Sequence, residues 1–194
     1  MKDRVLVAIT GGIGSGKTTV SKIIEGLGYK VFSCDEIYKE ISKTSNYLNE
    51  ISKVFPLVVE NGVLNRSALA EIVFYDSKEL KKLNALAHPL ILSELDGKIE
   101  QEKGLVFCEV PLLFEENLQN KFDYVLIVLR SLSLRVESIV KRDSMTREKA
   151  LNRIQNQFDY DNMKNLPSNF LIIKNEKGIL ELKNQVEEAI KIIS

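Results

Sequence analysis

The feature that most constrains the fold is a glycine-rich stretch near the amino terminus, GGIGSGKT, which runs from Gly11 to Thr18. It has the spacing GxxxxGK(S/T), it follows the apolar run at 5–9, and a helical pattern begins at Lys17. Glycine permits backbone angles that are closed to other residues, so successive N–H groups can turn inward around an anion. The stretch therefore predicts a strand, a phosphate-binding loop and a helix in succession.

A loop of this kind binds the phosphates of a nucleoside triphosphate. The Lys17 ammonium supplies a point charge for the β- and γ-phosphates, and the Thr18 hydroxyl can ligate Mg²⁺. The positive end of the following helix faces the same phosphates. The residues predicted to contact them are Gly12, Ile13, Gly14, Ser15, Gly16, Lys17 and Thr18.

Short apolar runs alternate with amphipathic stretches along the chain, at 5–9, 29–32, 105–110, 124–129 and 170–173. This alternation is typical of βαβ units and predicts an α/β fold, a three-layer P-loop NTPase fold around a parallel five-stranded sheet. Helical patterns at about 38–103 and about 132–158 predict a helical insertion and a helical lid. We expect one domain, because the chain has 194 residues.

The composition excludes several classes of protein. Hydrophobic residues make up 44% of the chain, and 27 basic residues balance 27 acidic ones, so a disordered chain and a strongly basic nucleic-acid binder are both disfavoured. Two cysteines and the single His88 cannot form a zinc cluster. No apolar run approaches the length of a signal h-region or a membrane span, so we expect a cytoplasmic protein without a membrane partner.

Residues 130–153 carry seven basic side chains against three acidic ones. Such a run is usually a solvated helix face. Here it follows a strand end, where a lid over phosphates would be attached, and the arginine fork suits phosphate oxygens. Arg135 and Arg142 are seven residues apart and share a face if the helix is continuous.

The sequence disfavours a GTP switch. None of the ten glycines has Asp three residues earlier, so the DxxG switch is missing. The guanine-binding pattern NKxD occurs at 120–123, but it precedes a strand, whereas ligands bind at the carboxyl ends of parallel strands. We interpret it as a surface turn.

Asp35 follows the second predicted strand and so should lie at the same sheet edge as the loop. Two interpretations stay open at this point: a base or Mg²⁺ ligand, or the cap of the next helix. Asn175, just after the last strand, is likewise either a turn residue or part of a base-binding edge.

Several segments together resemble the dephospho-coenzyme A kinase family. They are TGGIGSGKT at 10–18, FSCDEIY around Asp35, HPLI at 88–91, VPLLFE at 110–115 and RD…TRE…RIQNQ between 142 and 157. The resemblance covers essentially the whole chain. It implies transfer of the ATP γ-phosphoryl group to the ribose 3′-hydroxyl of dephospho-coenzyme A, the last step of coenzyme A synthesis, with ATP and Mg²⁺ required.

The resemblance also implies roles for individual residues. Asp35 becomes the catalytic base, while His88 lies in the insertion that covers the acceptor. From the residues alone, a histidine beside Pro89 is more typical of a helix boundary. Pro111, Leu112 and Leu113 would line the acceptor side, although from the residues alone they could equally pack in the core. Arg142 would contact the ATP phosphates, and Arg153 with Gln157 would support the lid.

This chain departs from the family pattern at three places. The family commonly has Asp-Ala-Asp where this chain has Ser33-Cys34-Asp35, so only the second aspartate is kept. The strand that ends at Glu109 often ends in Asp in the family. Arg135 and Ser138 replace Gln and Arg in the lid.

The alternatives are another P-loop kinase for a nucleoside monophosphate or small metabolite, and a non-catalytic nucleotide-binding module. We expect a small-molecule acceptor, no nucleic acid, and a monomer or weak homo-oligomer.

Overall fold

The computed structural model describes residues 3–164 and 166–194. The strands are β1 (Arg4–Thr10), β2 (Lys30–Ser33), β3 (Val59–Glu60), β4 (Val63–Leu64), β5 (Gly104–Glu109), β6 (Tyr124–Leu129) and β7 (Phe170–Lys174). The helices are α1 (Lys17–Gly26), α2 (Cys34–Ile41), α3 (Ser45–Val54), α4 (Arg66–Tyr75), α5 (Ser77–Glu100), α6 (Leu132–Asp143), α7 (Arg147–Gln155) and α8 (Ile179–Ile193). The chain divides into two compact units, Met1–Phe32 with Glu102–Ser194, and Ser33–Gln101.

The first unit is built on a five-stranded parallel sheet with the order β2-β5-β1-β6-β7. Each predicted apolar run forms one of these strands, so the predicted α/β fold is confirmed. Val7 and Ile9 of β1 are fully buried beneath α1 and α8, and Ala8, which points to the opposite face, is fully buried too. Both faces of the sheet are therefore covered, as a parallel sheet requires.

Helices α6 and α7 form a pair with its own small core. Val136 and Ile139 of α6 pack against Ala150 and Ile154 of α7, and Ile13 from the glycine-rich loop packs on the same cluster. The two helices occupy most of the segment predicted as a lid. Their closure over a ligand stays a prediction.

The second unit is helical, with a core of buried residues from α3, α4 and α5. It also contains a short antiparallel hairpin of β3 and β4, which the helical prediction for this region missed. The turn residues Asn61 and Gly62 have φ of 51° and 75°. Asn-Gly is the strongest short hairpin signal in a sequence, because both turn positions need positive φ.

No helix among residues 3–164 and 166–194 is both long and apolar enough to cross a membrane.

Candidate functional site

The glycine-rich loop joins β1 to α1. Gly14 and Gly16 have φ of 77° and 97°, in the left-handed region that favours glycine. Gly16 is the N-cap of α1 and has no side chain to bond the first N–H groups of the helix, and the first turn carries no acidic residue. These N–H groups and the positive helix end can therefore bind an anion.

Lys17 lies at the start of α1 and folds back across the loop. Its Nζ atom donates to the carbonyl oxygens of Gly11 at 2.8 Å and Gly12 at 3.2 Å. The ammonium charge is thus held over the concave side of the loop, where it can interact with phosphate oxygens.

A carboxylate lies directly beside the helix start. Thr18 donates its hydroxyl to Glu109 Oε1 at 3.0 Å, and Ser21 donates to Oε2 at 2.7 Å. Glu109 ends β5, is opposite Ile9 of β1, and is only 5% exposed. In the sequence, Glu109 stands out only as a departure from the family pattern. Its position at the carboxyl end of the strand next to β1 is the signal that would have placed it in the site.

Arg135 of α6 contacts the loop directly. Its Nε donates to the carbonyl of Ile13 at 3.0 Å, and its Nη1 lies 3.5 Å from Asp161 Oδ2. The side chain is 4% exposed. Burial lowers the pKa of this guanidinium, while the charge of Asp161 opposes that shift.

Arg142, the arginine predicted to bind phosphate, lies two turns further along α6. Its side chain is 60% exposed, and its guanidinium donates to both oxygens of Asp143 at 2.7 and 2.9 Å. Arg153 of α7 donates to the same carboxylate at 2.8 Å. Hydrogen bonding and charge from Arg142, with Arg153 in support, hold the pKa of Asp143 below its usual value. The role of Arg142 in phosphate binding stays a prediction.

Two amide side chains also hold the loop. Gln157 accepts from the N–H of Ile13 at 2.6 Å, and Asn175 donates from Nδ2 to the carbonyl of Ser15 at 2.8 Å. Asn175 follows β7, and its own N–H donates to Leu129. It therefore supports the loop's backbone, a contact that neither sequence interpretation included.

The acceptor-side residues follow β5 in a series of turns. Pro111 and Leu112 are half-buried, whereas the Leu113 side chain is fully buried. The core interpretation therefore fits Leu113, and the predicted contacts of all three residues with an acceptor stay predictions.

In the second unit, Asp35 lies in the first turn of α2. The N-cap is Ser33, whose hydroxyl accepts from the N–H of Glu36 at 3.4 Å, so the cap interpretation of Asp35 is wrong. Asp35 is exposed, and within the described part of the chain its carboxylate forms no hydrogen bond or ion pair.

His88 is half-buried in the middle of α5, with Pro89 inside the same helix. The helix-boundary interpretation of this pair is therefore wrong. The predicted contact of His88 with the acceptor is untested.

The parallel sheet, the glycine-rich loop and the lysine-threonine start of α1 define a P-loop enzyme of the phosphotransferase class. The sequence model described as CoaE, dephospho-CoA kinase, matches residues 5–181. The chain belongs to the dephospho-CoA kinase family.

Individual relatives agree with this assignment. A dephospho-CoA kinase from Fusobacterium nucleatum is 34% identical over 188 residues, covering 94% of this chain and 95% of that protein. Among solved structures, a Thermus thermophilus protein is 32% identical with a TM-score of 0.85, and 98% of each chain is covered. Dephospho-CoA kinase from Campylobacter jejuni is 25% identical with a TM-score of 0.70, again over 98% of each chain.

Family membership confirms the function predicted from the sequence, that of a kinase acting at the last step of coenzyme A biosynthesis. ATP is a substrate of such a kinase.

Proposed function

We propose that this chain transfers the γ-phosphoryl group of ATP to the ribose 3′-hydroxyl of dephospho-coenzyme A, with residues 12–18 binding the ATP phosphates. The observation that carries the proposal is the helix start at Gly16, where uncapped N–H groups, the Lys17 ammonium and the Thr18 hydroxyl converge. Three kinds of donor at one helix end match the charge of a triphosphate.

Asp35 is the proposed base. It accepts the proton of the ribose 3′-hydroxyl as that oxygen bonds to the γ-phosphorus and the bond to the β-phosphate oxygen breaks, releasing ADP. Its exposure, and a carboxylate that forms no hydrogen bond with the residues that the structure describes, support this role. Lys17 and Arg142 offset the charge on the phosphoryl oxygens.

Thr18 and Asp35 are the predicted Mg²⁺ ligands. We add Glu109 to this proposed site, because its carboxylate lies beside the Thr18 hydroxyl. A hydroxyl and a buried carboxylate oxygen 3.0 Å apart are the hard donors that Mg²⁺ prefers, and the ion keeps several waters of its own. When bound, Mg²⁺ supplies positive charge to the β- and γ-phosphates.

The acceptor side of the proposal comprises the helical insertion at about 38–103 with His88, and the turn residues Pro111, Leu112 and Leu113. The lid at about 132–158 would cover the ATP phosphates. We further propose that the enzyme is a monomer or weak homo-oligomer and works in the cytoplasm, a reducing compartment that suits a chain with two cysteines.

A coupled ADP-release assay tests the activity. With ATP and Mg²⁺ present, dephospho-coenzyme A should support ADP formation and yield coenzyme A, while adenosine monophosphate should not. Turnover with adenosine monophosphate alone would instead indicate a nucleoside monophosphate kinase. Nucleotide binding without ADP release on either acceptor would indicate a binding module.

A further inference from the structure

We propose that Arg135 and Gln157 are positioning residues that clamp Ile13 and so hold the glycine-rich loop in its ATP-binding shape. The inference rests on the proposed role of that loop and adds two residues to it. Arg135 donates to the carbonyl of Ile13 at 3.0 Å, and Gln157 accepts from its N–H at 2.6 Å. We call these two contacts the Ile13 clamp.

The clamp fixes both peptide planes that meet at the Cα atom of Ile13. The N–H belongs to the plane before this atom and the carbonyl to the plane after it, so the two contacts together restrict φ and ψ. The Ile13 side chain adds a third restraint, because it packs on the buried cluster of α6 and α7. The residue next to it, Gly14, has φ of 77°, in the left-handed region that favours glycine.

The arginine of the clamp is itself firmly placed. Arg135 is 3% exposed, and a guanidinium this deeply buried is stable only when its donors have partners. Its partners are the Ile13 carbonyl and Asp161, whose carboxylate lies 3.5 Å from Nη1. Gln157 and Asp161 both follow α7, so a single segment supplies one half of the clamp and supports the other half.

The clamp also explains why residue 12 is a glycine. Its position is unrestricted in the GxxxxGK(S/T) motif, and its φ lies outside the left-handed region. A β-carbon there would lie 2.2 Å from Nη2 and 2.6 Å from Cζ of Arg135. A side chain at position 12 would therefore displace the Arg135 guanidinium from its buried place in the clamp.

Direct ATP binding tests the clamp without any acceptor. Calorimetric titration with Mg²⁺ and ATP should show a Kd about tenfold weaker for Arg135→Gln, the effect of losing one charge-assisted hydrogen bond, and an intermediate value for Arg135→Lys. Lys191→Gln, an exposed change on α8 outside the predicted lid, should bind within about twofold of wild type. In the kinase assay, Arg135→Gln should raise the KM for ATP and leave the KM for dephospho-coenzyme A unchanged.

A double-mutant cycle then tests the contact itself. Gly12→Ala should weaken ATP binding in the wild type but add little in the Arg135→Gln background, because the shorter side chain leaves room for a methyl group. Additive effects would overturn the steric part of the inference. A folded Arg135→Gln protein, judged by its melting temperature, that binds ATP like the wild type would overturn the clamp.

If Arg135→Gln does not fold, Gln157→Met tests the clamp instead. Gln157 is half-buried, and methionine has a similar length but lacks the amide oxygen that accepts the N–H of Ile13. Weaker ATP binding is expected, and unchanged binding overturns the clamp. Because these titrations need no acceptor, they stay informative even if dephospho-coenzyme A proves not to be the substrate.

Discussion

Glu109 ends a strand and Asp35 follows one, and the surroundings of these two carboxylates suit them to different proposed roles. Glu109 is buried and accepts hydrogen bonds from Thr18 and Ser21, so its charge is fixed in place by two hydroxyl groups. Asp35 is exposed on the first turn of α2. A fixed carboxylate suits the support of a cation, whereas an exposed, solvated one suits proton acceptance.

Asp35→Asn should lower kcat by about 10² to 10⁴, the usual contribution of a general base. The change preserves size but removes the proton acceptor, so the melting temperature should stay close to that of the wild type. Glu36→Gln is the matched control, since Glu36 is the exposed neighbour and pairs with Lys39 in the helix. Turnover of Asp35→Asn near the wild-type rate at saturating substrates would exclude Asp35 as the base.

Glu109→Gln should raise the Mg²⁺ concentration needed for half-maximal rate by about 10 to 100-fold, the range found when a group supporting a metal ligand is lost. The amide keeps a carbonyl oxygen but loses the negative charge beside Thr18. Glu181→Gln, an exposed change on α8, is the control. An unaltered Mg²⁺ requirement, measured by titrating the kinase rate, would exclude Glu109 from the cation site.

The buried Tyr160 hydroxyl should make the folded protein less stable at high pH. Its hydroxyl bonds to Thr10 at 3.0 Å, and burial raises its pKa from 10.0 to about 12. A raised pKa means that the folded state favours the neutral hydroxyl, so the stabilisation is complete below pH 10 and is lost as the pH rises toward 12. This should remove roughly 1 kcal/mol between pH 9 and pH 11.

Urea unfolding of the wild type and Tyr160→Phe at both pH values measures this loss. The variant should be less stable at pH 9, because its hydrogen bond to Thr10 is gone, but should lose less on going to pH 11. Tyr47, whose pKa burial also raises, contributes equally to both proteins. Equal losses in the two proteins would contradict the assignment to Tyr160.

Helix α5 illustrates how tertiary packing overrides a local signal. Pro89 cannot donate to the carbonyl of Ala85 and its ring crowds that turn, so the sequence favours a helix end there. The helix nevertheless runs from Ser77 to Glu100. It packs against α2, α3 and α4, and it has buried residues on both sides of the proline, Ala87 before it and Leu95 and Ile99 after it.

Pro89→Ala should therefore stabilise the protein. Removing proline from a helix interior gains up to about 3 kcal/mol, and the greater flexibility of the unfolded chain offsets up to about 1 kcal/mol, which leaves roughly 2 kcal/mol. The side chain is exposed, so no cavity forms. Urea unfolding at neutral pH checks this, and a lower midpoint for the variant would show that the helix depends on its proline.

Except for the β3–β4 hairpin, the elements with continuous sequence signals were predicted, whereas contacts between distant elements were not. The five parallel strands and the glycine-rich loop each depend on neighbouring residues, and each was found from the sequence. Arg135 and Gln157 contact Ile13 across 122 and 144 positions, and Glu109 contacts Thr18 across 91. No local pattern encodes such pairs, so which arginine contacts the loop depends on how α6 packs, and the sequence favoured Arg142.

At the scale of the whole molecule, the zero net charge hides a basic segment, and the fold partly neutralises that segment. Asp143 pairs with Arg142 and Arg153, and Asp161, outside the segment, pairs with Arg135. Asp143 is already counted among the three acidic residues of this segment, so Asp161 is the residue that lowers the local excess of positive charge in the folded protein. A reduced, localised charge suits a few phosphates on a small ligand rather than a long polyanion.

The two units should respond to different ligands. The glycine-rich loop, Glu109 and the Ile13 clamp all belong to the first unit, whereas Asp35, His88 and the predicted insertion belong to the second. Hydrogen exchange with Mg²⁺ and ATP should therefore slow amides in 12–18 and 157–161, since bound phosphates and a firmer clamp reduce local opening. Dephospho-coenzyme A should slow amides within 33–101. Protection by the acceptor confined to the first unit would contradict the role predicted for the insertion, and an ATP effect spread evenly over both units would contradict their separate responses.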